Sequence, residues 1–331
     1  LIGLVGSEMC IRDRKMTVCQ LYAKQIRHRG NVRYNTKNGR KRLMKLLEED
    51  KLGGCPIDSV KLSDAKEWAI RMKEKGISYK TISNDKRSLK AAFYTAIQDD
   101  CIRKNPFDFQ LNTVIEDDTE PKVPLTPAQE ESFLSFAQND KVYQKYYDEL
   151  IILLGTGLRI SELCGLTDTD INFENRIINV DHQLLRSAET GYYIETPKTK
   201  SGIRQIPMSE KVYEAFNRVL KRRRGAKAVT IDGYSNFLFL NRDGYPKTAT
   251  NYDGMFRGLA KKYNKYHEEA LPKVMTPHTL RHTFCTNMAN AGMNPKALQY
   301  IMGHSNITMT LNYYAHATFD SAKAEMLRIA A

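Results

Sequence analysis

The chain has 331 residues, with 51 Lys and Arg against 38 Asp and Glu and a formal net charge of +13. Its 41% hydrophobic and 27% charged content is that of a folded protein long enough for two domains of about 150 residues, which excludes disordered, collagen-like and disulfide-scaffold classes. The positive excess points to a polyanion, nucleic acid first, because basic patches attract phosphate across a Debye length.

The opening LIGLVGSEMCIRDR is too short an apolar run for a secretory segment and follows no basic stretch. Residues 1–15 therefore read as a non-native or disordered leader, and fold reasoning begins near Met16. No run reaches the ~18 apolar residues of a membrane span, so no membrane partner is expected. Cys10, Cys19, Cys55, Cys101, Cys164 and Cys285 form no CxxC or other metal pair and read as reduced cytoplasmic thiols.

Residues 15–45 hold ten Lys and Arg and no Asp or Glu. Solvated helix faces normally mix signs, so a one-sign surface favours phosphate contact by Lys24, Arg27, Arg33, Lys37, Arg40, Lys41 and Arg42. Apolar periodicity predicts helices from Ser63 to Glu74, stopped by Gly76, and from Ser78 to Asp100, completing a small helical bundle over 16–115. The segment IEDDTEPKVPL clusters acids with two prolines and reads as an exposed linker at 116–124.

In the second domain, 125–331, Thr126, Pro127 and Gln129 resemble a capping box opening a helix. YDELIILLGTG is an apolar helix stopped by Gly155 and Gly157, and a short helix through Arg159, Glu162 and Leu163 follows. Runs at 176–180, 192–196 and 203–207 predict a three-stranded meander. Helices return at 211–223, 249–266, 279–290 and 295–302. The fold class is mainly α with a small antiparallel sheet: a helical domain plus an α+β domain.

Four segments of this domain carry groups suited to a phosphodiester: GLRISEL, PKTKSGIRQIP, HTLRH and GHSNITMTLNYYAH. Each alone is weak. Arg159 could merely pair with Glu162 at i,i+3, whereas His278 and Arg281 share one helix face and could bind an anion. His278 and His282 are spaced like zinc ligands, but Arg281 between them repels a cation and no Glu stands at the base position, so no metal is expected.

Taken together, the four segments resemble the tyrosine recombinase (phage integrase) family over 125–331. The family pattern of Arg, hairpin Lys, H-x-x-R, G-H and a Tyr before a small residue and His is met in order by Arg159, Lys198, His278, Arg281, His304 and Tyr314. The segments IRKNPFDF, TGLRISELCGL and HTFCTNMANAGMNPKALQYIMGHS look most like integrases of conjugative transposons. Alternative readings are a silent DNA-binding protein and a type IB topoisomerase.

The resemblance implies a bacterial, DNA-associated enzyme whose helical 16–115 domain clamps core DNA. Members of the subgroup usually carry a further N-terminal arm-binding domain, which suggests a truncated start here. Tyr314 would attack phosphorus to form a 3′-phosphotyrosyl link and a free 5′-hydroxyl. It is preferred over the adjacent, chemically equivalent Tyr313 because Ala315 and His316 follow it. Arg159 and Arg281 would fork onto the non-bridging oxygens. His278 and His304 would hydrogen-bond the phosphate or take the tyrosine proton, and Lys198, favoured over Lys200, would protonate the leaving oxygen. Since the covalent link stores the bond energy, no cofactor is needed. Residues 317–331 would pack in trans within a homo-tetramer on double-stranded attachment sites, with room for an accessory excision or directionality protein.

Overall fold

The computed structural model describes residues 15–30, 32–120, 123–197, 199–223, 225, 229–314 and 326–327. The chain divides into two compact units, Leu1–Pro121 and Lys122–Ala331.

Among the described residues, the first unit holds four α-helices: α1 (Val18–His28), α2 (Tyr34–Glu48), α3 (Leu62–Glu74) and α4 (Tyr79–Gln98). Helix α1 begins where the Thr17 hydroxyl accepts from the Gln20 amide while the Gln20 side chain accepts from the Thr17 amide, so two otherwise orphaned N–H groups are satisfied reciprocally. Leu21, Leu43, Leu47, Trp68, Leu89 and Phe93 bury a common core. The NPF motif completes it. The Asn105 side chain accepts from the Phe107 amide at 3.0 Å and donates to the Lys90 carbonyl at 2.9 Å, turning Phe107 inward. The Phe107 ring then lies edge-on to Trp68 at 5.7 Å and against Phe93 at 5.4 Å.

The second unit opens with α5 (Pro127–Asn139), whose Thr126 and Gln129 form the expected reciprocal cap. Helix α6 (Tyr147–Thr156) is apolar on nearly every face, and Leu150, Ile152, Leu153 and Leu154 are buried because neighbours cover it on several sides. Gly155 lies within this helix and does not stop it; Gly157, with a φ of 63°, ends it in the left-handed region. The short α7 (Ile160–Gly165) follows, then β1 (Ile171–Asn172), β2 (Ile177–Val180), β3 (Gln183–Ser187), β4 (Gly191–Glu195) and β5 (Arg204–Pro207).

These strands do not form the expected meander. They form a three-stranded antiparallel sheet in the order β1-β2-β5 and a separate β3-β4 hairpin. The run at 192–196 pairs with QLLRS, whose interrupted alternation carried no clear strand pattern, leaving 204–207 to pair directly with 177–180. Helices α8 (Glu210–Arg223), α9 (Ala249–Tyr266), α10 (Pro277–Asn290), α11 (Pro295–Met302) and α12 (Thr308–Leu311) complete the unit. Helix α6 packs against α8 and α10, and this places its C-terminal end beside the start of α7 and the middle of α10. No helix among the described residues is long and apolar enough to cross a membrane.

Removing the Phe107 ring leaves a hole between two helices and two aromatic rings. Phe107→Ala is therefore expected to lower stability by about 3–5 kcal/mol, read as a shift in the urea unfolding midpoint.

Candidate active site

The site is built where five chain segments meet: the end of α6, the start of α7, the start of β5, the middle of α10 and the C-terminus of α11. Helix α7 starts at Arg159, and Glu162, three residues on, reaches back to that start. One Glu162 oxygen accepts from the Arg159 amide at 2.8 Å and the other from its guanidinium at 2.7 Å. Arg204, on β5, supplies the same carboxylate with two further hydrogen bonds at 2.9 and 3.1 Å. Four donors thus fill the capacity of one carboxylate.

Glu162 is buried, which favours its neutral form, but the bonds and charges of Arg204, Arg159 and Arg281 outweigh burial and hold it down at about 2. The i,i+3 pair that alone would have been a surface ornament for Arg159 is here part of a buried network. The Arg159 side chain remains 38% exposed, whereas that of Arg204 is 0% exposed. This difference divides the two arginines by role: the first is open to a ligand and the second is not.

Helix α11 ends with Gly303 in the left-handed region, at a φ of 61°. A Cβ there would come within 3.1 Å of the Arg204 guanidinium and 3.0 Å of the Ser201 carbonyl, so both the turn and the close approach require glycine. Three consecutive carbonyls at this helix end each meet a different guanidinium. Arg204 donates to Ile301 at 2.6 Å, Arg281 to Met302, and Arg159 to Gly303 at 3.1 Å. Cations suit this location because unpaired carbonyls give a helix C-terminus partial negative charge.

Arg281, on α10, also donates to the Gly157 carbonyl. Burial, then Arg159, pushes its guanidinium down to about 9, with Glu162 acting in the opposite direction. The groups acting on Arg281 include two more arginines but one carboxylate, so the cluster is under-neutralised and suited to an anion.

His304 directly follows Gly303 and is buried, with Nδ1 at 2.9 Å from the Thr310 hydroxyl of α12. Burial, then the charges of Arg281, Arg159 and Arg204, and also that of His278, lowers it to about 4. It is therefore a neutral imidazole at pH 7. His278 is exposed on the first turn of α10. The structure thus brings Arg159, His278, Arg281 and His304 into one electrostatic cluster. Lys198 lies outside the described residues, while Lys200 is exposed in the turn Lys200–Gly202.

The two tyrosines diverge. The Tyr314 hydroxyl donates to the Met293 carbonyl in the turn between α10 and α11. Burial and Cys285 raise this phenol, and no arginine acts on it. The Tyr313 hydroxyl is 3.0 Å from His282 Nδ1, and its ring centroid is 4.9 Å from that imidazole. Burial and then Cys285 raise this phenol too, with Arg281 opposing the rise as the smallest of the three effects. The structure therefore joins Tyr313, and not the expected Tyr314, to the arginine cluster, because consecutive residues near the end of a short helix point in different directions. His282, considered above as a zinc ligand, is engaged with a phenol.

Among the described residues, Asp170, Asp181 and His182 are close enough to hold a metal. His182, however, has one ring nitrogen on Asp181 and the other 2.7 Å from the Gly165 carbonyl, leaving no ring lone pair free for an ion.

In the first unit, Lys24 pairs with Asp99 just beyond α4 and Arg42 with Asp85 on α4, while both cationic side chains keep part of their surface exposed. Lys37, Arg40 and Lys41, with Lys45, line a groove of about 540 Å³ floored by Ile26, Val32 and Met44. Arg27 is exposed at the end of α1, and Arg33 precedes α2. Arg204 escaped sequence reading as a site residue. The available signal was a charged residue inside the apolar alternation I-R-Q-I-P.

Known proteins resemble this chain along most of its length. The phage integrase family matches residues 124–321. The transposase of transposon Tn916 from Enterococcus faecalis is 69% identical over 316 residues, covering 96% of this chain and 78% of that protein. The Tn1549 transposon integrase in complex with a circular-intermediate DNA is 78% identical with a TM-score of 0.91, covering 95% of this chain and 99% of that one. A second structure of that integrase, with transposon right-end DNA, has a TM-score of 0.90. These two carry an arginine-to-lysine change at that protein's position 225 and a tyrosine-to-phenylalanine change at its position 379, an interval of 154 residues. A lambda integrase dimer on a core site, at 16% identity and a TM-score of 0.63, shares the fold.

Two outcomes test the electrostatics. Glu162→Gln leaves the Arg204 charge buried without its partner and should cost about 3–5 kcal/mol in chemical denaturation. For His304, the folded value of about 4 lies below the ordinary 6.5, so the unfolded chain binds the proton more readily. Its contribution is present above pH 6.5 and lost as pH falls toward 4. An NMR titration of the His304 imidazole should show a midpoint near 4, and a midpoint at 6.5 would contradict its burial among arginines.

Proposed function

The chain belongs to the phage integrase family and is a tyrosine-type site-specific recombinase, and we propose that Tyr313 is the nucleophile with which it cuts and rejoins the DNA ends of a mobile element. The observation that carries this assignment is geometric: the Tyr313 hydroxyl lies 3.0 Å from Nδ1 of His282, the residue that follows Arg281, whereas the Tyr314 hydroxyl is bonded to the Met293 carbonyl. The interval of 154 residues in the Tn1549 integrase supports it, being that from Arg159 to Tyr313 here.

Arg159 and Arg281 hold the scissile phosphate by its non-bridging oxygens. They already point N–H groups at backbone carbonyls, so an arriving phosphate exchanges weak acceptors for a charged one. The Tyr313 oxygen attacks phosphorus as its proton passes toward His282 or His278, and the P–O bond to the 5′ oxygen breaks. The tyrosine becomes joined to the 3′ phosphate and the other strand end leaves as a 5′-hydroxyl once protonated. Lys198 is the proposed donor of that proton. His304, neutral among cations, supplies a hydrogen bond to the phosphate without adding charge. Attack by a 5′-hydroxyl from a second site reverses the step and releases the phenol.

The 16–115 region is proposed to grip core DNA through the basic side chains Lys24, Arg27, Arg33, Lys37, Arg40, Lys41 and Arg42, of which Lys24 and Arg42 also pair with Asp99 and Asp85. Assembly as a homo-tetramer on paired sites, with residues 317–331 reaching a neighbouring copy, and bias by an accessory excision protein belong to the same proposal. The 317–331 segment, apart from 326–327, lies outside the described residues.

A nicked attachment-site substrate that traps the covalent complex tests the assignment. Tyr313→Phe should abolish the complex, Tyr314→Phe should retain it, and Arg159→Lys should slow its formation by about 10²-fold or more. Loss in Tyr314→Phe alone would return the nucleophile to Tyr314. A complex that survives in the double Phe variant would sink the phosphotyrosyl route.

A further inference from the structure

Arg204 lies inside the site but cannot serve a substrate directly, since its side chain is 0% exposed. Its guanidinium is committed in three directions. It donates to both oxygens of Glu162, to the Ile301 carbonyl at the end of α11, and at 3.1 Å to the Gly202 carbonyl. Those partners belong to three pieces of the cutting machinery. Glu162 holds the amide and guanidinium of Arg159. The α11 terminus supplies the neighbouring carbonyls on which Arg281 and Arg159 rest. Gly202 closes the turn that begins at Lys200.

We propose that Arg204 is a positioning residue for DNA cleavage, locking α7, the α11 terminus and the 200–202 turn together so that Arg159 and Arg281 present their N–H groups to the phosphate in a fixed geometry. This rests on the phosphotyrosyl reading above. A planar guanidinium suits the task because its donors diverge in one plane at fixed angles, whereas a lysine ammonium is a point charge on a flexible stem. A displacement of the order of 1 Å at a reacting centre can slow a step about 10²-fold, so loosening the lock need not unfold the protein to impair it.

The contrary view is that Arg204 and Glu162 form a buried ion pair that serves stability alone. The experiment separating the two uses the double variant Glu162→Gln/Arg204→Met, which removes both buried charges. Neutral replacement of a buried pair is often tolerated, so its melting temperature and its affinity for attachment-site DNA should stay near wild type. Single-turnover formation of the covalent complex on a nicked phosphodiester substrate should nevertheless slow by about 10²-fold. On a matched substrate with a methylphosphonate at the scissile position, a methyl replaces a non-bridging oxygen and removes the charge that the arginines address. The deficit of the double variant relative to wild type should shrink there. Arg204→Lys, which keeps the charge but not the planar fork, should show the same pattern in milder form.

Wild-type rates in the double variant, an equal deficit on both linkages, an unfolded double variant or a parallel loss of DNA affinity would each overturn the proposal. If the wild-type protein itself formed no covalent complex, the nucleophile assignment would fall first, and this inference with it.

Discussion

Like charges resist being buried together, and the catalytic unit is organised around that constraint. Arg159, Arg204 and Arg281 act on one another and on a single carboxylate, Glu162. Such a cluster persists only if each guanidinium finds acceptors. The main chain provides them at Gly157, Gly202 and Ile301 to Gly303. The packing of α6 against α10 and the glycine turns closing α6 and α11 follow from this need, since each delivers a carbonyl to an arginine. The residual positive charge is the functional asset. A phosphate, and still more the doubly negative arrangement formed during attack, neutralises what the resting site leaves unbalanced.

The surroundings of His304 obey the same logic. An imidazole beside three guanidinium groups cannot hold a proton near neutrality without adding to the repulsion. It is therefore neutral, with its orientation taken from the Thr310 hydroxyl. Helix α12, though only one turn long, thus connects the imidazole to the tyrosine pair that follows it.

Much of this was legible in the sequence because the signals are local. Thr126 with Gln129 and the apolar run of α6 state a helix start and burial within a few residues. The segments carrying Arg159, His278, Arg281 and His304 were found from short spacings, and the resemblance they support is that of the family to which the chain belongs. What escaped is non-local. QLLRS becomes a strand through pairing with GYYIE, and its own alternation does not reveal that pairing. The fold sends the Tyr313 hydroxyl to His282 and the Tyr314 hydroxyl to the Met293 carbonyl, a divergence that adjacency in sequence conceals. The basic run at 15–45 has one sign along the chain but not in space, because Asp85 and Asp99 fold against it. Arg204 went unread as a site residue because its partner carboxylate stands 42 residues away.

The acceptors for the three guanidinium groups at the end of α11 are peptide oxygens rather than side chains. Replacing Ile301 or Met302 by another helix-compatible residue changes what the helix shows its neighbours but leaves those oxygens where they were. Evolutionary drift at these letters is thereby uncoupled from the chemistry, and only a shift in helical register reaches it. An insertion or deletion of one residue within 295–302 would rotate the terminal oxygens by roughly 100° and deprive all three cations at once, so the length of this helix is under a stricter constraint than its spelling.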